Sequence, residues 1–336
     1  MKQIQIPSPA TLKKQCPPSK SAQDFLIQSQ KKANAIAATA DPSKVFFIGP
    51  CSIHDIDSAI AYAECFKKLC TTLSDRCFLI MRVHLQKPRT ITGWKGLMYD
   101  PYLDGSNDIQ TGLLWSRKLL TTLAEMHVPC AMEWLDPLSS CFLSDLITWG
   151  FIGARTSSSQ VHRELASSLY FPVGFKNHTD GSLEDAIHGV LSAKEKHTFI
   201  SINQEGIVCA FQSAGNPHTH LVLRGSHQGI NYDSKSIKTA LKKLATFNLP
   251  QRIIIDCAHD NCEKQFQKQK NVFVSVLEQI SNGRHEILGV MIESHLKKGN
   301  QILKPDQLEF GLSITDPCLN WEATAELISL ASCMMC

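Results

Sequence analysis

Eight short apolar runs, each closed by a residue able to do chemistry, constrain this chain more than any other feature. The first four are Val45–Ile48, leading to Cys51; Phe78–Met81, ending at Arg82; Cys130–Met132, ending at Glu133; and Phe151–Ala154, ending at Arg155. The others are Val173–Phe175, ending at Lys176; Leu221–Leu223, ending at Arg224; Ile253–Ile255, leading to His259; and Val290–Ile292, ending at Glu293. Runs this short and this apolar read as buried strands. A longer, helix-compatible stretch usually follows each one. No repeat of fixed period accompanies them, which excludes a solenoid. Eight strand–helix units in roughly 300 residues predict an α/β fold, a (β/α)8 TIM barrel, with its site at the C-terminal ends of the strands. A doubly wound sheet would not need polar termini on all eight runs.

The flanking segments fit that plan. Residues 1–40 read as an N-terminal arm and helix, and residues 41–336 as the barrel. Positions 1–20 are rich in Pro, Ser and Lys and look like an arm. Ser21 to Ala38 reads as a helix that Ser21 can cap, with Asp24 in the first turn. Thr198–Gln212 holds two β-like pieces around Gln204-Glu205-Gly206, an inserted β-hairpin between units five and six.

Composition excludes several classes. A formal net charge of +3 over 336 residues, without aromatic interleaving of the basic residues, gives no footprint for nucleic acid. No run reaches the ~18 apolar residues that span a bilayer. Thirteen cysteines, an odd number spread from Cys16 to Cys336, argue against a disulfide framework. The start Met-Lys-Gln-Ile-Gln-Ile-Pro lacks an apolar signal region. These features predict a protein of the reducing cytoplasm. Cys333-Met-Met-Cys336 reads as a helix tail.

Two constellations carry the chemistry. The first is cationic: Arg82, Lys87, Arg89, Arg155, Lys176 and Arg224, all facing one mouth if the barrel is right. A phosphate monoester carries about −1.5 to −2 at neutral pH, so six cations match two phosphates and a carboxylate. Arg forks suit the oxyanions, and Lys serves as a movable point charge. The second is metal-like: Cys51, His259, Glu293 and Asp316. A thiolate with an imidazole and carboxylates suits Mn, Fe, Co or Zn rather than Mg. The alternative is a buried Cys, a satisfied His and two solvated acids. His54, His162 and His295 read as packing or supporting residues, and Trp94 as packing.

These segments resemble a class I 3-deoxy-D-arabino-heptulosonate-7-phosphate (DAHP) synthase of the microbial α type. The resemblance runs through Gly49-Pro-Cys-Ser-Ile-His-Asp55, Lys87-Pro-Arg-Thr90, Gly93-Trp-Lys-Gly-Leu97 and Gly153-Ala-Arg-Thr156. It continues through Pro172-Val-Gly-Phe-Lys-Asn177, Leu223-Arg-Gly225, Asn231-Tyr-Asp233, Glu293-Ser-His-Leu296 and Ser313-Ile-Thr-Asp316. Enzymes of that family condense phosphoenolpyruvate with erythrose 4-phosphate at the entry to aromatic amino acid biosynthesis. The resemblance implies a divalent metal held by Cys51, His259, Glu293 and Asp316. It implies phosphoenolpyruvate on Arg82, Lys87, Arg155, Lys176 and Arg224, and the sugar phosphate on Arg89 and Thr90. Lys87 becomes the candidate to protonate the alkoxide or to position the water, with His259 assisting and Cys51 serving the metal. A homo-oligomer, dimer or tetramer, is expected. The Lys-Pro-Arg-Thr segment favours the four-carbon sugar over the arabinose 5-phosphate used by a related synthase.

The chain departs from the family pattern at three places. Ser157-Ser158-Ser159-Gln160 stands where Thr-Glu-Ser-Gln is usual. Two cysteines, Cys257 and Cys262, flank His259. Gln86 replaces a Glu that often precedes Lys87, and the lost carboxylate is expected to tune that lysine.

Overall fold

The computed structural model describes residues 3–73, 75–89 and 91–335. Thr90, assigned above to the sugar phosphate, and Cys336 of the C-terminal cysteine pair lie outside the described residues. Among the described residues ten strands form: β1 (Lys44–Gly49), β2 (Cys77–Arg82), β3 (Cys130–Trp134), β4 (Trp149–Ile152), β5 (Val173–Lys176), β6 (Thr198–Ile202), β7 (Val208–Gln212), β8 (Thr219–Leu223), β9 (Ile253–Asp256) and β10 (Ile287–Glu293). Ten helices accompany them: α1 (Pro9–Gln15), α2 (Lys20–Ala37), α3 (Ile56–Cys70), α4 (Ile109–Glu125), α5 (Ser139–Leu143), α6 (Gln160–Ser168), α7 (Glu184–Lys194), α8 (Ser234–Thr246), α9 (Gln269–Ser281) and α10 (Trp321–Met335).

Eight of the strands close into a barrel in the order β1-β10-β9-β8-β5-β4-β3-β2, every pair parallel. The strands β6 and β7 stand apart as an antiparallel pair between β5 and β8, where the hairpin was expected. Its Phe199 and Phe211 stack at 6.3 Å. The fourth strand begins two residues before its predicted run, so Ala154 and Arg155 fall in the turn beyond it.

Side-chain alternation along the strands builds the core and the site together. Phe46 and Ile48 point outward into the helix layer. Val45 and Phe47 point inward and pack with Ile80, Ala131, Trp149, Phe151, Val222, Ile254 and Met291. Phe47 meets Trp149 and Phe151 edge-on at 5.2 and 5.0 Å. Ala33, Ile36 and Ala37 of α2 join this inner cluster, so the N-terminal helix plugs the end of the barrel away from the site. Continuing the inward parity by one step brings Arg82, Glu133, Lys176, Arg224, Asp256 and Glu293 to the opposite end. A strand buried on both faces and ending in an inward charge puts that charge at the barrel mouth.

Two expectations for the N-terminal segment need correction. The arm contains a helix, α1, capped by Ser8, with Leu12 fully buried. Pro at its first turn lacks only an N–H that has no helical partner there. The cap of α2 is Ser19, not Ser21: Ser19 Oγ accepts from Ala22 N at 3.2 Å. Asp24 consequently lies beyond the first turn, in an i,i+4 pair with Lys20.

Candidate active site

The mouth holds a cavity of about 480 Å³ lined by Arg82, Lys87, Arg89, Arg155, Lys176 and Arg224, together with His259, Glu293 and Asp316. All six predicted cations therefore reach one space. Their environments differ. Arg82, Lys176 and Arg224 are buried, Lys87 is half-buried, and Arg89 and Arg155 are exposed at the rim.

Most of the inner cations have carboxylate partners, which changes the charge count made from the sequence. Arg82 Nη2 donates to Glu293 Oε1 at 3.0 Å. Lys176 Nζ stands 3.1 Å from Glu133 Oε2 and 3.4 Å from Asp256 Oδ2. Arg224 Nη1 donates to Asp260, and Lys87 Nζ to Asp316 Oδ2 at 2.9 Å. Among the described residues five carboxylates thus stand with the six cations, and these groups together carry a surplus of one positive charge, not six. Burial of a lone charge is costly, and these pairs offset it. Asp256 and Glu133 were not assigned roles from the sequence. The signal was present, since both end strands on the inward parity. Asp260 gave no such signal.

Arg82 retains unspent capacity. Its Nε and Nη1 are buried without a hydrogen-bond partner among the described residues, although the side chain is 1% exposed. Buried donors are normally paired, and an anionic oxygen in the cavity would satisfy these.

Beside the cations lies the thiol–carboxylate group. Cys51 Sγ and the carboxylate oxygens of Glu293 and Asp316 all fall within 4.8 Å of one another. The pairing of Gly49 with Glu293 between β1 and β10 brings the first two elements together. On its other side Gly49 lets β2 approach closely, because a Cβ there would meet Arg82 O at 2.7 Å. Cys51 Sγ lies 3.2 Å from Asp316 Oδ2 and 2.7 Å from Lys87 Nζ. His259 stands at the edge of the group, its Nε2 3.9 Å from Glu293 Oε1. Its Nδ1 lies 3.0 Å from Asp256 Oδ2. A carboxylate at the far ring nitrogen is the usual support of a metal-bound histidine. Gln269 clamps Glu293 from behind, accepting from its N–H at 2.8 Å. The donor set of sulfur, nitrogen and oxygen fits a divalent transition ion.

Electrostatics keep these groups charged, the thiol excepted. Burial and then Glu293 push the Cys51 thiol up to about 12, with Lys87 acting the other way. Burial alone would lower the Lys87 ammonium, but the Asp316 carboxylate beside it and the Cys51 sulfur, whenever that is ionised, outweigh it and hold it protonated. Lys87 in turn holds the Asp316 carboxyl well below the usual range. For Asp256 burial acts upward, yet His259 and Lys176 keep it ionised.

Other expectations resolve simply. Gln86 does not face Lys87. Its Oε1 accepts from Leu135 N at 2.8 Å and Asp136 N at 3.1 Å, so it anchors the exit of β3. Cys257 and Cys262 are buried, with Cys262 Sγ on His259 O at 3.3 Å. Trp94 is buried, its Nε1 donating to Asp100 O. His162 Nε2 contacts Leu135 O at 2.8 Å, and His54 packs against His295.

Fold and cavity define a (β/α)8-barrel enzyme that handles anionic substrates beside a group able to hold a cation. A family model described as the DAHP synthetase I family matches residues 24–329. The Trp-sensitive phospho-2-dehydro-3-deoxyheptonate aldolase of Enterobacter agglomerans is 42% identical over 324 residues, 96% of this chain and 93% of that protein. The Tyr-sensitive enzyme of Escherichia coli K12 is 43% identical over 323 residues, 96% of this chain and 90% of its own length. A solved phospho-2-dehydro-3-deoxyheptonate aldolase from Francisella tularensis superposes with a TM-score of 0.97 at 38% identity, covering 99% of this chain and 97% of that one. The chain belongs to the DAHP synthetase I family, and the family's activity, 3-deoxy-7-phosphoheptulonate synthesis, is its own. Among the described residues no helix is long and apolar enough to cross a membrane.

Proposed function

We propose that Arg82, Lys87, Arg155, Lys176 and Arg224 hold phosphoenolpyruvate in this mouth, while Arg89 and Thr90 hold the phosphate of erythrose 4-phosphate. Cys51, His259, Glu293 and Asp316 hold a divalent ion, Mn, Fe, Co or Zn. The observation that carries the reading is the cavity in which six cations meet the Glu293 and Asp316 carboxylates, with the Cys51 thiol buried directly beside them. When bound, the ion supplies Lewis acidity toward the aldehyde.

The protein's own groups do the rest. Arg155 at the rim and Arg224 and Lys176 deeper in the wall orient the enol phosphate so that C3 faces the aldehyde carbon. As the new C–C bond forms, C2 becomes electron-poor and water adds to it. The resulting hemiketal phosphate then loses inorganic phosphate. The surrounding guanidinium and ammonium groups stabilise the charge that develops on the leaving phosphate. Lys87, held protonated, delivers the proton to the nascent alkoxide. The Asp256 carboxylate stands 3.0 Å from His259 Nδ1, and Nε2 faces Glu293. Arg89 is fixed differently from the inner cations: its Nε donates to Trp94 O at 2.7 Å, outside the ring of carboxylates. That separation suits a second phosphate.

We read the chain as a homo-oligomer of the reducing cytoplasm. The barrel, residues 41–336, forms one catalytic unit behind the N-terminal residues 1–40. Phosphate release should require both phosphoenolpyruvate and erythrose 4-phosphate and should stop on chelation. Equal turnover with arabinose 5-phosphate would overturn the choice of sugar, and full activity after exhaustive chelation would overturn the metal.

A further inference from the structure

The cavity wall carries a buried polar group that neither the strand-end pattern nor the ion pairs account for. His84 follows β2 by two residues, on the inward parity of Ile80 and Arg82, and is 5% exposed. Its Nδ1 lies 3.4 Å from Arg82 Nη2. A guanidinium only donates, so Nδ1 is the acceptor and the ring proton is assigned to Nε2. Nε2 is buried with no hydrogen-bond partner among the described residues, and His84 lines the cavity. Burial, then Arg82, Lys176, Lys87 and His259, oppose a second proton on the ring. His84 is therefore a neutral donor among the charged groups of the wall. A buried donor left unpaired is disfavoured, and a ligand oxygen is the partner that would pair it.

We propose that His84 Nε2–H donates a hydrogen bond to an oxygen of bound phosphoenolpyruvate. This rests on the reading of the mouth given above. His84 Nδ1 is held by Arg82, a cation assigned to phosphoenolpyruvate, whereas Arg89, assigned to the aldose phosphate, is turned to Trp94 O. The contact has a use the cations cannot serve. A single N–H on a ring held by Arg82 fixes the direction of one oxygen without adding charge, and so sets the rotation of the enol phosphate within its cationic cradle.

Two variants test it. His84→Phe fills nearly the same volume without a donor; His84→Gln restores a neutral N–H. With His84→Phe the KM for phosphoenolpyruvate and its Kd by calorimetry should rise about ten- to hundredfold, the range for one hydrogen bond to a charged group. The KM for erythrose 4-phosphate should stay within about twofold, and His84→Gln should recover most of the loss. Thermal melts of both variants report whether either is misfolded. Arg224→Ala, measured alongside, separates this proposal from the reading of the site. If Arg224→Ala weakens phosphoenolpyruvate binding and a folded His84→Phe does not, the His84 contact is wrong and the site stands. If neither weakens it, both are wrong. Equal losses in His84→Phe and His84→Gln, or equal rises in both KM values, would mark His84 as structural and overturn the contact. Should His84→Phe fail to fold, His84→Gln against His84→Leu makes the same comparison.

Discussion

Cys51 sits where the protein alone disfavours its thiolate, since burial and Glu293 push the thiol up to about 12. A divalent cation reverses that preference, because a coordinating thiol is deprotonated outright. Cys51→Ala is therefore expected to lose both bound Mn or Co and turnover, measured by equilibrium dialysis and phosphate release; a full equivalent of metal would sink the four-residue set. Arg89→Ala is expected to act on one substrate. Its KM for erythrose 4-phosphate should rise about ten- to hundredfold, the cost of one charge-assisted contact, with little change for phosphoenolpyruvate. Equal rises in both would refute the assignment. At this scale the sequence was legible for residues whose type is rare at a strand end, such as Cys51, Arg82 and Lys176. It was illegible for their partners. Asp256 stands beside both His259 and Lys176, a fact that needs the third dimension, and His84 carried no signal in the sequence.

Elements were read well where alternation or apolar length dominated and less well where one hydroxyl decides an end. Both Ser19 and Ser21 precede helical residues, and nothing in spacing separates them. The structure does: Ser19 Oγ accepts from Ala22 N and donates to Glu125 Oε2 at 2.6 Å. Ser21 Oγ instead meets His127 Nε2 at 3.2 Å on the surface. Ser19→Ala is expected to lower stability by about 1 kcal/mol, the usual worth of a helix cap, and Ser21→Ala by clearly less. Denaturant melts of the two would reverse the assignment if their order were inverted. Helix α1 escaped notice for a related reason. Seven residues opened by Pro are too few to show a period, and only Pro9 and Leu12 among them are buried.

For the molecule as a whole, the barrel's polar core sets a limit in acid. His220 lies on β8 at the far end from the mouth, 5.3 Å from the Trp149 ring, with Nδ1 3.3 Å from His218 O. The groups facing it are Trp149, His218 and the nearby Arg252, and none is an anion. Burial, only partly relieved by the His218 carbonyl, lowers it to about 3. His54, His84, His162, His218 and His295 are shifted the same way, burial first in each. The unfolded chain accepts these protons near pH 6.5 and the folded one does not. The stability they allow is thus complete above about pH 6.5 and falls as pH drops toward the folded values. His220 alone should account for about 2 kcal/mol lost between pH 7 and pH 5. Asp256 and Glu133, held below the usual carboxylate range, lose their contribution only at lower pH, so the first acid window belongs to the histidines. His220→Gln should flatten the pH 7 to 5 slope of unfolding free energy by about that amount, measured by urea titration at each pH. An unchanged slope would show that the buried ring accepts its proton in the folded barrel.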